Sequence, residues 1–389
     1  MTATIVSPRL MRIGGGAVAE APEVLRLLGL SRPLVVTDPW MVSSGTIDRA
    51  LLAPLRAAGI AFAVFSETVP DPTDTVIEAG AAVLISGDHD CLIGFGGGSP
   101  MDTAKAMAIL AAAPPGAKMR SFKVPAQADH GLVPILCIPT TAGTGSEATR
   151  FTIVTDTETD EKMLIAGLGA LPLAAIVDYE LTFSVPQRTT ADTGIDSLTH
   201  ALEAYVSKRA NPHADSLALS ALQLIGRHLR PAYHQPKNAA SREAMMLGAM
   251  QAGLAFSNSS VALVHGMSRP IGAHFHVPHG LSNAMLLPVV TEYGLTEALP
   301  RYAEAARAMG VATREDSDAA AGTRLLEELR ALNRELGVPT PKDYGIGGNR
   351  WEGLLPLMAQ QALASGSPAN NPRVPDEAAI IDLYRRAYG

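Results

Sequence analysis

Asp196 and His200 stand four residues apart in the run Asp192-Thr-Gly-Ile-Asp-Ser-Leu-Thr-His-Ala-Leu-Glu-Ala-Tyr205. On a helix that spacing puts both side chains on one face, where a carboxylate and an imidazole can chelate one cation. Two further histidines, His265 in Leu-Val-His-Gly and His279 in Val-Pro-His-Gly, each precede a glycine. One carboxylate and three imidazoles suit a divalent ion such as Fe(II) or Zn(II), with a coordination position left for substrate. Asp192, one turn before Asp196, offers either a fifth ligand or a helix cap. The competing cluster is His274, His276 and His279, whose first two members point the same way in an extended chain. No acid neighbours that set in sequence, so it ranks below the first. His89, His130, His213, His228 and His234 lie in mostly polar surroundings and read as surface. H-E-x-x-H, G-x-S-x-G and C-x-x-C are absent, which removes the common zinc-peptidase, serine-hydrolase and thiol-redox signatures.

Two small-residue loops suggest a second kind of chemistry. Gly96-Gly-Gly-Ser-Pro-Met-Asp102 directly follows the apolar run Cys91–Phe95. Ser99 reads as the N-cap of the next helix, Pro100 as its first residue and Asp102 as a capping carboxylate. Glycines there let the backbone approach a ligand, and free N–H groups at a helix start attract phosphate. A plain strand-turn-helix junction explains the same residues. Pro139-Thr-Thr-Ala-Gly-Thr-Gly-Ser-Glu147 follows a second apolar run, and Thr140, Thr141 and Thr144 offer hydroxyls to phosphate or ribose, or simply cap a turn. Asp38 ends an earlier run. A carboxylate there accepts bonds from an adenosine ribose and repels a 2′-phosphate, which favours NAD over NADP; a strand-end turn is the plainer alternative.

The elements that must position these residues change character along the chain. In the first half, apolar runs at 33–38, 60–65, 91–95 and 134–139 alternate with helix-like stretches at 47–58 and 74–86. That alternation predicts βαβ units and a parallel sheet, with ligands at the carboxyl ends of its strands. Beyond Leu181–Pro186 the segments 214–229, 242–256, 299–309 and 319–336 are Ala/Leu-rich and helically periodic. The expected division is therefore an α/β dinucleotide-binding domain over 1–185 and an all-helical metal and substrate domain over 186–389. A chain of 389 residues is long enough for two cores. A net charge of −7 argues against a nucleic-acid partner. The two cysteines, Cys91 and Cys137, are too few for a disulfide scaffold or a cysteine zinc site, and they favour a reducing compartment. With no long apolar run and no signal-peptide pattern, no membrane association is expected and the reading is cytoplasmic.

Taken together, the motifs resemble the iron-containing (group III) alcohol dehydrogenases. The resemblance rests on Gly96–Lys105, Pro139–Glu147, Thr193–Tyr205, Gly253–Asn258, Val264–Gly272 and Pro278–Gly280, which run in order along nearly the whole chain. The lactaldehyde reductase and propanediol dehydrogenase branch is the nearest in character. The resemblance implies a Rossmann-like domain followed by a helical metal domain, the architecture shared with dehydroquinate synthase, with the active site in the cleft between. It implies Asp196, His200, His265 and His279 as ligands of Fe(II), with Zn(II) or Mn(II) as alternatives. It further implies Gly97, Gly98 and Ser99 at the pyrophosphate of NAD(H). Thr140, Thr141, Thr144, Lys162 and more weakly Thr182 would contact the rest of the cofactor, together with Asp38 and Asp102. Phe151 and Phe256 line the pocket or pack in the core.

One position departs from the pattern: Arg269 stands where many members carry a histidine four residues after the His265 ligand. An arginine stays protonated and cannot relay a proton as a neutral base. It favours a substrate with an anionic tail, or else turns away to pair with a local acid or a cofactor phosphate. The expected reaction is hydride transfer between a small primary alcohol or hydroxy acid and NAD, run by a homodimer or larger assembly. A metal- and NAD-using lyase or cyclase of the dehydroquinate synthase kind is the alternative, and a non-catalytic cofactor-binding oligomer is a more remote one.

Overall fold

The structure, a computed structural model, describes residues 2–130 and 133–389; Met1, Gly131 and Leu132 lie outside the described residues. The chain divides into two compact units, one of Ile5–Ser184 and one built on Val185–Gly389.

The first unit is organised by six parallel strands: β1 (Leu10–Ile13), β2 (Pro33–Val36), β3 (Ala63–Phe65), β4 (Cys91–Gly96), β5 (Ile135–Pro139) and β8 (Ala174–Val177). Their order is β1-β8-β5-β4-β2-β3, all pairs parallel. The inner strands are apolar and buried at every residue, as a sheet covered on both faces requires. Alternation then sorts side chains between two cores. Leu34, Val36, Leu92, Ile135 and Cys137 face α4 (Asp74–Ser86) and α5 (Gly98–Ala111). Val35, Ile93, Phe95, Leu136 and Ile138 face α1 (Ala21–Leu27) and α3 (Ala53–Ala57). Between them in sequence lies the short α2 (Pro39–Ser43). The chain moves outward from β2 to β3 and then returns to the other side of β2 for β4. The sheet therefore reverses direction between β2 and β4, the place where open α/β sheets bind ligands. An antiparallel hairpin, β6 (Phe151–Asp156) with β7 (Glu161–Ala166), is an addition that the sequence reading did not contain.

The second unit holds only helices among its described elements: α6 (Gln187–Val206), α7 (Pro212–His234), α8 (Ala239–Asn258), α9 (Leu263–Phe275), α10 (His279–Met309), α11 (Asp318–Glu335), α12 (Gly348–Ala364) and α13 (Glu377–Tyr388). Asn211, Asn238, Ser317 and Asp376 cap α7, α8, α11 and α13 by accepting a backbone N–H three residues on. Helix α10 bends at Ala298 (φ −136°, ψ 34°), two residues before Pro300, a proline that removes a helical hydrogen bond. Helix α6 lies at the centre, packed by α7, α8 and α10 and buried from Thr190 through Val206 apart from Thr193. No helix among the described residues is long and apolar enough to cross a membrane.

Candidate active site

Three helices bring Asp196, His265 and His279 to one point, with His200 beside Asp196 but outside the mutually close set. Asp196 and His200 lie one turn apart on α6, His265 in the first turn of α9, and His279 at the start of α10. Asp196 Oδ1 is the focus: His265 Nε2 is 3.6 Å away, His279 Nε2 3.8 Å and His200 Nε2 3.9 Å. Ligand atoms of Asp196, His265 and His279 all fall within 4.8 Å of one another. Two ligands held about 2.1 Å from a shared cation stand roughly 3–4 Å apart, so these separations fit one divalent ion. Burial raises the cost of an ionised Asp196, yet His200, His279 and His265 hold its carboxyl well below the usual range.

Close packing makes the convergence possible. A Cβ on Gly280 would lie 2.4 Å from Asp192 O, so only glycine lets the start of α10 sit this close to α6. Phe256 of α8 stacks on His200 (4.4 Å between centroids, 19° between planes), and His200 stacks in turn on His265 at 4.4 Å. Phe256 is buried, with its ring packed against the candidate ligand His200.

Two further residues complete the cluster, and the sequence reading missed both. Glu203, one turn beyond His200 on α6, is buried and has both oxygens engaged. Oε2 lies 2.6 Å from His265 Nδ1, and Oε1 accepts the Val264 N–H at 2.6 Å. The carboxylate thereby keeps the imidazole proton on Nδ1 and leaves the Nε2 lone pair toward Asp196. Asn283, one turn after His279, donates from Nδ2 to Asp196 Oδ1 at 2.7 Å, while its Oδ1 is buried without a partner. Spacing of three or four residues from an assigned ligand was the available signal for each.

The other candidates separate cleanly. His274 bonds Gln361 at 2.8 Å and His276 ends α9 in the left-handed region (φ 54°), so the competing histidine set does not assemble. Asp192 neither caps α6, which begins at Gln187, nor joins the cluster; it is bound to Arg188. Arg269 pairs with no local acid among the described residues. Its Nη1 donates to Ser367 Oγ at 3.1 Å, and burial lowers its pKa to about 10, leaving it charged at neutral pH.

In the α/β unit, Asp38, Gly97, Gly98, Ser99, Thr140, Thr141 and Thr144 lie just beyond the carboxyl ends of β2, β4 and β5. Gly96 adopts φ 146°, where a Cβ would meet Pro100 Cγ at 2.6 Å. The N-cap of α5 is Gly97, not Ser99, which lies inside the helix. A glycine there leaves the first N–H groups of α5 without a side-chain cap, open to an anion. Gly98 lets Thr144 close in, since a Cβ would lie 2.9 Å from its methyl. Thr140 Oγ1 is buried without a partner, a hydroxyl that a bound ligand's oxygen would satisfy. Thr141 lies beside Gly97, and Thr144 Oγ1 accepts from Ser146 N at 3.2 Å. Asp38 caps α2 through Met41 N at 2.9 Å with one oxygen.

Some cofactor candidates are occupied by the protein itself. Asp102 does not cap α5: its oxygens accept from Ser146 Oγ (2.8 Å) and Ile153 N (3.0 Å). Lys162 pairs with Asp71 at 2.9 Å, and the Thr182 hydroxyl donates to Tyr179 O at 2.6 Å. Phe151 is half-buried on β6. Its carbonyl accepts from the fully buried Lys105, whose ammonium also donates to Ser146 O (2.5 Å), Ser146 Oγ (2.8 Å) and Thr149 O (3.0 Å). That one cation ties α5 to the end of the threonine loop at Ser146 and to the segment after it. Glu147 lies beside it, its Oε2 buried without a partner, and burial pushes the carboxyl up to about 7.

Comparison with known proteins gives this arrangement its family. The iron-containing alcohol dehydrogenase profile matches residues 8–179, and the C-terminal profile of the Fe-containing alcohol dehydrogenase family matches residues 190–388. The lactaldehyde reductase of Escherichia coli K12 is 37% identical over 375 residues, covering 96% of this chain and 97% of its own. The NAD-dependent methanol dehydrogenase of Bacillus methanolicus is 35% identical over 375 residues, with the same coverage. A solved 1,3-propanediol oxidoreductase superposes over the whole of both chains with a TM-score of 0.94 at 35% identity. Two profiles and near full-length relatives lead to one conclusion: the chain belongs to the iron-containing alcohol dehydrogenase family.

Proposed function

We propose that this protein interconverts a small primary alcohol and its aldehyde by hydride transfer with NAD(H), using a divalent cation, most naturally Fe(II), at Asp196, His200, His265 and His279. The observation that carries this reading is the approach of three imidazole Nε2 atoms to a single carboxylate oxygen, Asp196 Oδ1. When bound, the cation supplies Lewis acidity and the nicotinamide accepts or donates the hydride. The chain's own residues do the positioning. Glu203 fixes the His265 tautomer, Asn283 orients Asp196, and Phe256 shields His200 from water. Gly97, Gly98 and the start of α5 supply backbone N–H groups for the pyrophosphate, and Thr140 supplies a hydroxyl. Asp38, flanking the sheet's reversal point, favours an adenosine ribose without a 2′-phosphate. In this reading residues 1–185 hold the dinucleotide and residues 186–389 hold the cation.

The same reading makes the protein a cytoplasmic homodimer or larger assembly. Its two cysteines are free and buried, which suits a reducing compartment, and light scattering in solution tests the assembly. The decisive experiment strips the protein with chelator, restores Fe(II), Zn(II) or Mn(II) separately, and follows NADH absorbance with short aldehydes. Activity should vanish on stripping and return with metal; full turnover by the stripped protein would overturn the assignment.

A further inference from the structure

Arg269 lies on α9 four residues after His265, and so on the same face one turn along. Residues 263–268 and 270–272 of that helix are buried, while Arg269 is half-buried. A guanidinium has five N–H donors, and this one makes a single hydrogen bond, to the neutral Ser367 hydroxyl. The other half-buried arginines of this unit meet a carboxylate: Arg188 meets Asp192, Arg230 meets Glu328 and Glu335, Arg301 meets Asp215, and Arg307 meets Asp318; the buried Arg242 is held by Pro236 O and the Thr190 hydroxyl instead. Around Arg269 no carboxylate oxygen comes within 4.0 Å among the described residues. Glu203 is the acid whose charge reaches it, and both Glu203 oxygens are already committed to Val264 and His265.

Ser367 is firmly placed. It begins the turn Ser367–Asn370, which packs against α9 because a Cβ on Gly266 would strike Pro368 Cγ at 2.7 Å. The serine therefore seats the guanidinium without neutralising it. A divalent cation would balance the charges of Asp196 and Glu203 and leave Arg269 as the uncompensated positive charge of the cluster. Uncompensated charge at reduced dielectric favours an anionic partner, and a guanidinium matches the two oxygens of a carboxylate.

We propose that Arg269 binds a carboxylate at the far end of the substrate, so that the preferred substrates are short ω-hydroxy acids and the corresponding aldehyde acids. Four residues of helix, about 6 Å of rise, separate Arg269 from His265, a span suited to a chain of a few carbons. This proposal rests on the alcohol dehydrogenase reading above.

The test compares 4-hydroxybutyrate with 1-butanol, which has the same carbon count, in metal-loaded wild type, Arg269→Gln and Arg269→Lys. Calorimetric binding of 4-hydroxybutyrate to the NAD-saturated proteins is measured alongside. Wild type should favour the anion by about tenfold or more in kcat/KM. Arg269→Gln should lower that ratio by about 10- to 100-fold, mainly through KM, and weaken calorimetric binding to match; Arg269→Lys should retain part of both. Oxidation of 1-butanol with a wild-type ratio near one, or a ratio unchanged in Arg269→Gln, would overturn this proposal and leave the hydride-transfer reading standing. Arg269-dependent binding without oxidation of either compound would support the anion site and sink the hydride-transfer reading instead. The wild-type ratio keeps the proposal refutable should a variant fail to fold.

Discussion

Replacing Glu203 by glutamine tests whether the buried carboxylate governs the metal centre. The glutamate accepts two N–H groups at once, from Val264 and from His265 Nδ1, each at 2.6 Å. A glutamine of the same shape has one oxygen and one NH2 for those two places. If its oxygen faces His265, the NH2 opposes the Val264 N–H. If its NH2 faces His265, the imidazole must move its proton to Nε2, which points at Asp196 Oδ1 and blocks the lone pair needed for coordination. Either way one strong bond is lost. Charge-assisted hydrogen bonds are worth about 1.5–3 kcal/mol, and tenfold in affinity is about 1.4 kcal/mol. The expected loss is therefore about 10- to 100-fold in metal affinity, the range seen when a residue supporting a histidine ligand is changed. The assay is competition for Zn(II) against a chromophoric chelator, with circular dichroism to verify the fold. A dissociation constant within about twofold of wild type in a folded Glu203→Gln protein would refute the reasoning.

Four further expectations concern other parts of the molecule. Gly280→Ala should lower metal affinity at least about tenfold in the same competition assay, because its methyl meets Asp192 O and pushes α10 off α6. Thr140→Val should leave urea-unfolding stability unchanged or slightly higher, since it removes a buried hydroxyl with no partner, while weakening NADH binding several-fold by fluorescence titration. Glu147, with its folded pKa near 7 against 4.5 for a free carboxyl, stabilises the fold only while protonated. The unfolded chain releases that proton first, so stability should fall as pH rises from about 4.5 to 7, by roughly 3 kcal/mol at most, and Glu147→Gln should flatten that slope in urea unfolding. Lys105→Met should raise KM for NAD more than it lowers kcat, because the buried ammonium holds the segment beyond the threonine loop to α5. Equal effects on both constants would count against that role.

Much of this was legible before any coordinates because the informative features are local. The alternation of apolar runs and helical stretches gave the sheet, with Asp74–Ser86 recovered end to end. The four-residue spacing of Asp196 and His200 placed two candidate ligands on one face. What escaped was long-range. Helical spacing sets Glu203 one turn past His200, but only the fold brings it to His265 sixty-two residues later, and only the fold brings Lys162 to Asp71. The hairpin β6–β7 was missed because its residues alternate in burial and mix threonine and acid with the apolar positions. Residue preference puts the helix cap at Ser99, but α5 starts two residues earlier than that implies, at Gly98, with Gly97 as its cap. Asp102 was read as a capping or cofactor group, whereas tertiary contacts with Ser146 and Ile153 claim both its oxygens.

Asp196, His200 and Glu203 occupy the buried stretch of α6 from its midpoint onward, where a helical bundle would ordinarily place leucines. A descendant that gave up the cation could not discard these residues one by one. Loss of the cation, or of the His265 imidazole, strands the Asp196 or Glu203 carboxylate in a low-dielectric interior, at a cost of about 3–5 kcal/mol when a buried charge loses its counterpart, a large share of a typical domain's stability. Retirement of the centre would require several simultaneous changes to well-packed apolar residues. The architecture thus resists gradual decay into a catalytically silent relative, and the survival of one ligand in such a lineage predicts the survival of its neighbours.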